Sequence, residues 1–487
     1  MPEEKDTAEK GTKKREFQFT PRIINPVKIT RAVIFAADEY VRAAGRSLAE
    51  SMPWIEVETL SNPFAVSNYR SERPSVILFD DTALNIADTG KIRQLNADAV
   101  LVLLSLNEFI HCSPPSVARE KFPYTAKADL IFAFNRTEFA AERIMSSVVR
   151  SAEDLINIKK YSRVRRYVFL IVDDEPRWFS QFLPVLYNII GQRADVMITR
   201  TYEETLKFLF DVEDESKISE MDYISSGHGD DVVCLISDIF FPKGDRVSSD
   251  AGKDLINLVN RYYPRIPIII ASKAQEVTQF KDVGFLLPKG DPGSLETLRS
   301  YIRDFTGIGA FIIHSRTGKE LFRIRDIQEM LDLLFEAEKD TPEAEELREL
   351  LESYGEKDKF STWLYMHSFR ELGDKLRPKR HRGHALVAVL KRNIKREILR
   401  TNFTPLIVNG MKSYNLRDLL HVLRTTDPDQ IQEFTDNDIF SSWLDRKGYS
   451  ELAEELRPIH GSGNRLVQAL IEHLEKWIEI YERRSNR

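Results

Sequence analysis

Short apolar runs of strand length recur through the first part of the chain, set apart by stretches with helical spacing. Between Val27 and Ser162 they are RAVIFAADEY, IEVETL, SVILFDD, DAVLVLLS and ADLIFAFN. From Arg166 to Thr306 they are YVFLIVDDE, DVMITR, VVCLISDIFF, IPIIIASK and VGFLLPK. Strands that alternate with helices predict βα units around a parallel sheet. Two successive α/β domains of similar plan are therefore expected, at 27–136 and 163–306. A long helix without proline or glycine joins them at 137–162. In it Ala141, Met145, Val148, Ala152 and Leu155 fall at 4-3-4-3 spacing, which suits either a coiled-coil seam or a helix packed on its own sheet.

After Thr306 the pattern turns helical and repeats. FSTWLYMHSFRELGDKLRP begins at Phe360 and FSSWLDRKGYSELAEELRP at Phe440, an offset of 80 that holds through Pro378 and Pro458. Upstream, IRDIQEML echoes LRDLLHVL at an offset of 92, so the first copy carries extra residues, with TPEAEELRELLE as the expected insert. A duplicated, mainly helical region follows, with copies at 307–400 and 401–487. Phe360, Trp363, Leu364 and Leu372, like Phe440, Trp443, Leu444 and Leu452, have the spacing of a buried helix face. Ser361 and Ser441 suit either a helix N-cap or a helix interior.

Composition narrows the class. The chain has 487 residues, 42% of them apolar and 30% charged, as expected of a folded globular protein. A net charge of −6 gives no reason to expect nucleic acid as the main partner. Cys112 and Cys234 lack metal spacing and stand far apart, which fits a reducing cytoplasm. Residues 1–26 read as a polar, flexible tail, and no apolar run reaches membrane-spanning length.

The second α/β domain carries the chemistry. Ligands of a parallel sheet bind at the carboxyl ends of its strands. Those ends supply Asp173 and Asp174, then Asp238, Ser272 and Lys289. Packed carboxylates call for a hard cation such as Mg²⁺. An aspartate beside that cation can be a nucleophile toward phosphorus, with the ammonium neutralising phosphoryl oxygens.

The stretches VDDEP, SDIFFP, IIIAS and LPK resemble the receiver domain of two-component response regulators. The resemblance implies two flavodoxin-like, doubly wound, five-stranded sheets. It also implies Asp238 as phosphoacceptor, Asp173 and Asp174 as Mg²⁺ ligands with the Phe240 backbone carbonyl, Ser272 as switch hydroxyl and Lys289 as site lysine. Three departures stand out. Pro288 precedes the lysine rather than following it, Leu286 stands where an aromatic is usual, and the loop after Asp238 is long, placing Gly252 late. The preceding DVEDESKISEMDYISSGHGDD has the composition of a mobile flap.

The first domain resembles a receiver with a thinner site. Asp80 holds the phosphoacceptor position and Ser105 the switch position. Asp38 and Glu39 stand near the acidic pair, with Ala37 where an acid belongs. No lysine follows the fifth strand, and a pseudo-receiver is expected; the alternative is a phosphorylatable site with Arg136 standing in for the lysine.

The C-terminal copies resemble an FSxWL module that follows receivers or accompanies phosphoenolpyruvate-synthase-like proteins, and the resemblance supplies no catalytic residue. Between the copies, Arg377–Arg400 holds nine Lys or Arg against Glu397, as a basic linker helix. His381 and His384 lack further ligands at metal spacing. The leading expectation is a response regulator, not an enzyme beyond its own phosphorylation chemistry. It would take its phosphoryl group from a histidine kinase or phosphotransfer protein and act by protein binding or homodimer formation, through an unknown target of the repeats. The alternatives are a constitutive scaffold and a nucleic-acid-binding regulator using 377–400.

Overall fold

The computed structural model describes residues 27–52, 54–60, 75–134, 141–160, 166–220, 227–244, 246–273, 284–315, 317–377 and 381–485. The polar tail 1–26 and Arg136 lie outside them. The first sheet contains β1 (Arg31–Phe35), β2 (Glu56–Leu60), β3 (Ser75–Phe79), β4 (Val100–Ser105) and β5 (Leu130–Ala133), in the order β2-β1-β3-β4-β5. The second is built from β6 (Val168–Val172), β7 (Asp195–Thr199) and β8 (Val232–Ser237). After the short pair β9 (Phe241–Lys243) and β10 (Arg246–Ser248), it is completed by β11 (Ile268–Ser272) and β12 (Phe285–Pro288), in the order β12-β11-β8-β6-β7. Every pairing within the two five-stranded sheets is parallel. Both are doubly wound with flavodoxin-like strand order, which puts the topological switch between the first and third strands. Runs such as VILF and VFLIV are buried along their whole length because helices cover both faces.

The helix Ala141–Lys160 settles the two uses open to its apolar face. Met145, Val148 and Ala152 are fully buried in a core shared by both sheets. These three positions of the 4-3-4-3 stripe are therefore consumed within the chain. Opposite it, the helix Pro176–Ile190 of the second domain packs on β5 of the first. Phe132 and Phe179 meet edge to face at 6.4 Å, and the Ala133 amide donates to Ser180 Oγ at 3.0 Å. Among the described residues no helix is long and apolar enough to cross a membrane.

The loop read as long and the insertion read as a mobile flap are both partly ordered by contacts. The loop after Asp238 forms the antiparallel β9–β10 hairpin, anchored where the Gly244 amide donates to Glu203 at 2.8 Å. The preceding insertion is pinned where Tyr202 donates to Glu215 at 2.8 Å and Ile218 is buried. Residues 221–226 of it lie outside the described set.

Each C-terminal copy is a small antiparallel hairpin followed by five helices. The first opens with β13 (Phe311–His314) and β14 (Glu320–Ile324), the second with β15 (Leu406–Val408) and β16 (Met411–Ser413). Part of the insert is a longer second helix, Pro342–Glu356 against Pro428–Asp436. Ser361 and Ser441 lie inside their helices; the N-caps are Asp358 and Asp438, both left-handed at φ 55°.

The basic run needs correction. It is no linker but the fifth helix of the first copy, Gly383–Phe403, equivalent to Gly463–Ser485. Its Leu386, Val387, Leu390 and Ile394 are buried, as are Leu466, Val467, Leu470 and Leu474 at the offset of 80. Lys391 pairs with Glu338, and Arg400 with Glu371 and Glu397. Much of the charge thus balances acids of its own module.

Candidate functional site

Three strand ends of the second sheet converge at its switch point. Asp173 and Asp174 follow β6, Asp238 follows β8, and Lys289 follows β12. Backbone bonds fix the rim: the Asp238 amide donates to Val172 O at 2.8 Å, and the Lys289 amide to Ser272 O at 2.8 Å. Carboxylate oxygens of Asp173, Asp174 and Asp238 all lie within 4.8 Å of one another. Lys289 Nζ sits between two of them, 2.6 Å from Asp173 Oδ2 and bonded to Asp238 Oδ2. The free oxygen of Asp238 accepts the Ile239 amide at 2.6 Å and the Phe240 amide at 3.4 Å, so Phe240 lies at the rim. Ser272, at the end of β11, is buried.

The electrostatics are those of acids crowded out of water. Burial, followed by the Asp238 charge, pushes Asp174 up to about 7. Burial also pushes Asp173 up to about 7, against the pull of Lys289. Burial works against the Lys289 ammonium, yet the Asp173 and Asp238 carboxylates outweigh it and raise its pKa. One ammonium cannot neutralise three carboxylates, so the donor set of hard oxygens fits a divalent cation such as Mg²⁺.

No protein-family model matches the chain, and no curated protein matches it. Two solved structures described as a two-component system response regulator/GGDEF domain protein are similar to it. They share 14% and 13% identity, with TM-scores of 0.26 and 0.25. They cover 56% of this chain and 97% and 96% of their own. The fold accordingly stands on strand order and register.

Arg200 is a site neighbour that sequence reasoning missed. Its guanidinium donates to the Asp174 carbonyl at 2.6 Å and reaches the Ser113 carbonyl of the first domain at 3.4 Å. Burial brings its pKa down to about 10. The one signal in the sequence was a lone arginine ending DVMITR. Trp178 is a second, its ring 5.5 Å from Lys289 Nζ.

Register corrects the reading of the first domain. Phe35 pairs with Phe79 as Val172 pairs with Ser237. The equivalents of Asp173 and Asp174 are therefore Ala36 and Ala37, and Asp38 stands where Glu175 does. Asp38 caps the helix Glu39–Ser51, accepting from Tyr40 and Val41, while Glu39 points outward to Arg42 and Arg46. Asp80 is a cap as well: it accepts from the Ala83 amide at 2.7 Å and the Asp38 amide at 2.8 Å. Ser105 donates to Asp81, not Asp80, at 2.9 Å. Both Asp80 oxygens are thus engaged by backbone. The substitution D80A is expected to cost about 1 kcal/mol of stability, the usual size of a lost cap, and to leave phosphoryl uptake by the protein unchanged. Denaturant melts beside intact-mass spectra would check both.

Proposed function

We propose that the chain is a phosphorylation-controlled response regulator with one working receiver, the second, and a first that serves as structural support. The observation that carries this reading is Lys289 Nζ held between Asp173 and Asp238, with Asp174 beside them. Asp173, Asp174 and the Phe240 carbonyl would hold Mg²⁺, which supplies charge neutralisation for a phosphoryl group. The Asp238 carboxylate would form the new oxygen–phosphorus bond as the phosphorus–nitrogen bond of a donor phosphohistidine breaks, the imidazole departing. Lys289 then holds phosphoryl oxygens, and the Ser272 hydroxyl donates to them. The helix Pro176–Ile190 starts beside the acids, and just beyond its end the Gln192 amide donates to Asp438 of the second C-terminal module, which gives a change at the site a route to the repeats. Protein contacts, rather than further chemistry, would be the output.

A second reading, a constitutive scaffold, is favoured by the core that fuses the two sheets. Incubation with acetyl phosphate and Mg²⁺ separates the two. Wild type is expected to gain one phosphoryl group by intact mass and D238A none. No gain in mass by wild type after treatment with acetyl phosphate and a panel of histidine kinases would favour the scaffold.

A further inference from the structure

At the opposite edge of the second sheet from Asp238, a cavity of about 150 Å³ lies between the sheet floor and the first C-terminal module. Tyr167 and Arg265 line it from the sheet side, and Lys359, Trp363 and Arg377 from the module side. Its acids are already matched. Asp230 pairs with Arg265 at 2.8 Å, Asp358 with Arg377 at 2.8 Å, and Asp304 with Arg323 at 2.9 Å. Lys359 is left over. Its one hydrogen bond runs to the Arg265 carbonyl at 3.4 Å, and no carboxylate pairs with it among the described residues. Burial, with the neighbouring Lys357 charge, pulls its ammonium down to about 8.

The duplicate shows what the module fold itself needs at this place. At the offset of 80, Asp358 and Arg377 become Asp438 and Arg457, which keep their ion pair at 3.2 Å. Lys359 becomes Ile439, packed against the module's core. There the Gly191–Gln192 turn of the second receiver closes directly onto the pair, the Gln192 amide donating to Asp438 at 2.6 Å. The first copy thus has a cavity where the second has a filled contact, and a desolvated cation where the fold accepts an isoleucine. A half-buried charge is costly unless something neutralises it.

We propose that this cavity is a binding site for a small oxyanion, a phosphate or a dicarboxylate, with Lys359 as its charge partner. Occupancy would tie the sheet floor to the first module. The site is distinct from Asp238 and does not depend on its phosphorylation.

Calorimetric titrations of the full chain with inorganic phosphate and, in parallel, succinate would test this, in a chelator so that the acidic site holds no metal. The expected result is one anion per chain. K359I and K359M should weaken binding by about tenfold or more, the scale of one charge-assisted hydrogen bond, and K359R should retain it. Melting temperatures of K359I and K359M in anion-free buffer should equal or exceed wild type, because Ile439 serves the same position. Whichever anion binds in a Lys359-dependent way identifies the class. Binding of neither anion by wild type, or equal binding by K359I and K359M, overturns the proposal.

Discussion

Replacing Lys289 by methionine should destabilise the metal-free protein by about 3–5 kcal/mol, the cost of removing one partner from a buried ion pair. Its side chain is 1% exposed, and the Asp173 side chain 2%. Without the ammonium, Asp173, Asp174 and Asp238 face one another with no cation between them. Millimolar Mg²⁺ should return much of the loss, since it binds only the folded arrangement. Denaturant melts of wild type and K289M, each with chelator and with Mg²⁺, would show this. An unchanged midpoint in chelator would mean that Lys289 does not neutralise these acids in solution. The same acids set a pH dependence. Asp173 and Asp174 rise from 3.8 to about 7 on folding, so between those values the folded state binds more protons than the unfolded state. Their contribution is fully present below 3.8 and is lost as pH rises through 7. Metal-free wild type should therefore lose stability from pH 5 toward pH 8 at this site, and Mg²⁺ should flatten the slope.

Arg457→Met should release the second C-terminal module from the second α/β domain, at a cost of about 3–5 kcal/mol for the same physical reason. Arg457 has no exposed side-chain surface and pairs with Asp438 at 3.2 Å and Glu454 at 3.4 Å. Gly191, at φ 52°, packs so closely that a Cβ there would overlap Asp438 and Arg457. Around this contact Arg193 binds Glu454 at 3.0 Å, and His367 of the first module bonds Asp445 of the second at 2.9 Å. All of these groups are largely or fully removed from water. Removal of the guanidinium leaves Asp438 buried with only the Gln192 amide. Small-angle scattering should show a larger radius of gyration for R457M, and denaturant melts an early transition. The matching R377M should lose less, because the Arg377–Asp358 pair keeps 19% and 17% of its side-chain surface exposed. Identical profiles for wild type and R457M would show that this pair does not hold the module.

The two sheets were legible because their inner strands, such as β3, β4, β6 and β11, are nearly continuous apolar runs, as strands covered on both faces require. The cluster of Asp173, Asp174, Asp238 and Lys289 was legible because residues at strand ends converge in any such sheet. Four things were not. The role of Asp38 depends on strand register, which a single sequence does not show, and Ala36 and Ala37 look unremarkable until Phe35 is paired with Phe79. The division of labour between Asp80 and Asp81 turns on which carboxylate faces Ser105, and two adjacent aspartates look alike on paper. The basic helix hid its membership in the repeat, because its match to the second copy survives only in apolar positions such as Leu386 and Leu466. Gly191 against Asp438 joins residues far apart in the chain, and no local pattern announces such a contact.

The C-terminal modules each close a hydrophobic core of their own, one around Trp363 and the other around Trp443. Each of the two sheets has a cluster of its own on one face, but on the other they share a core through Phe132, Met145 and Phe179. That difference governs which parts of the gene can be copied or exchanged. A module can be duplicated in tandem, and its copy can diverge at positions such as Lys359 and Ile439 without damage to its neighbour. Neither sheet can be excised without exposing the face of Pro176–Ile190 or of Ala141–Lys160, so an exchange that keeps the fold must carry the paired sheets as one block.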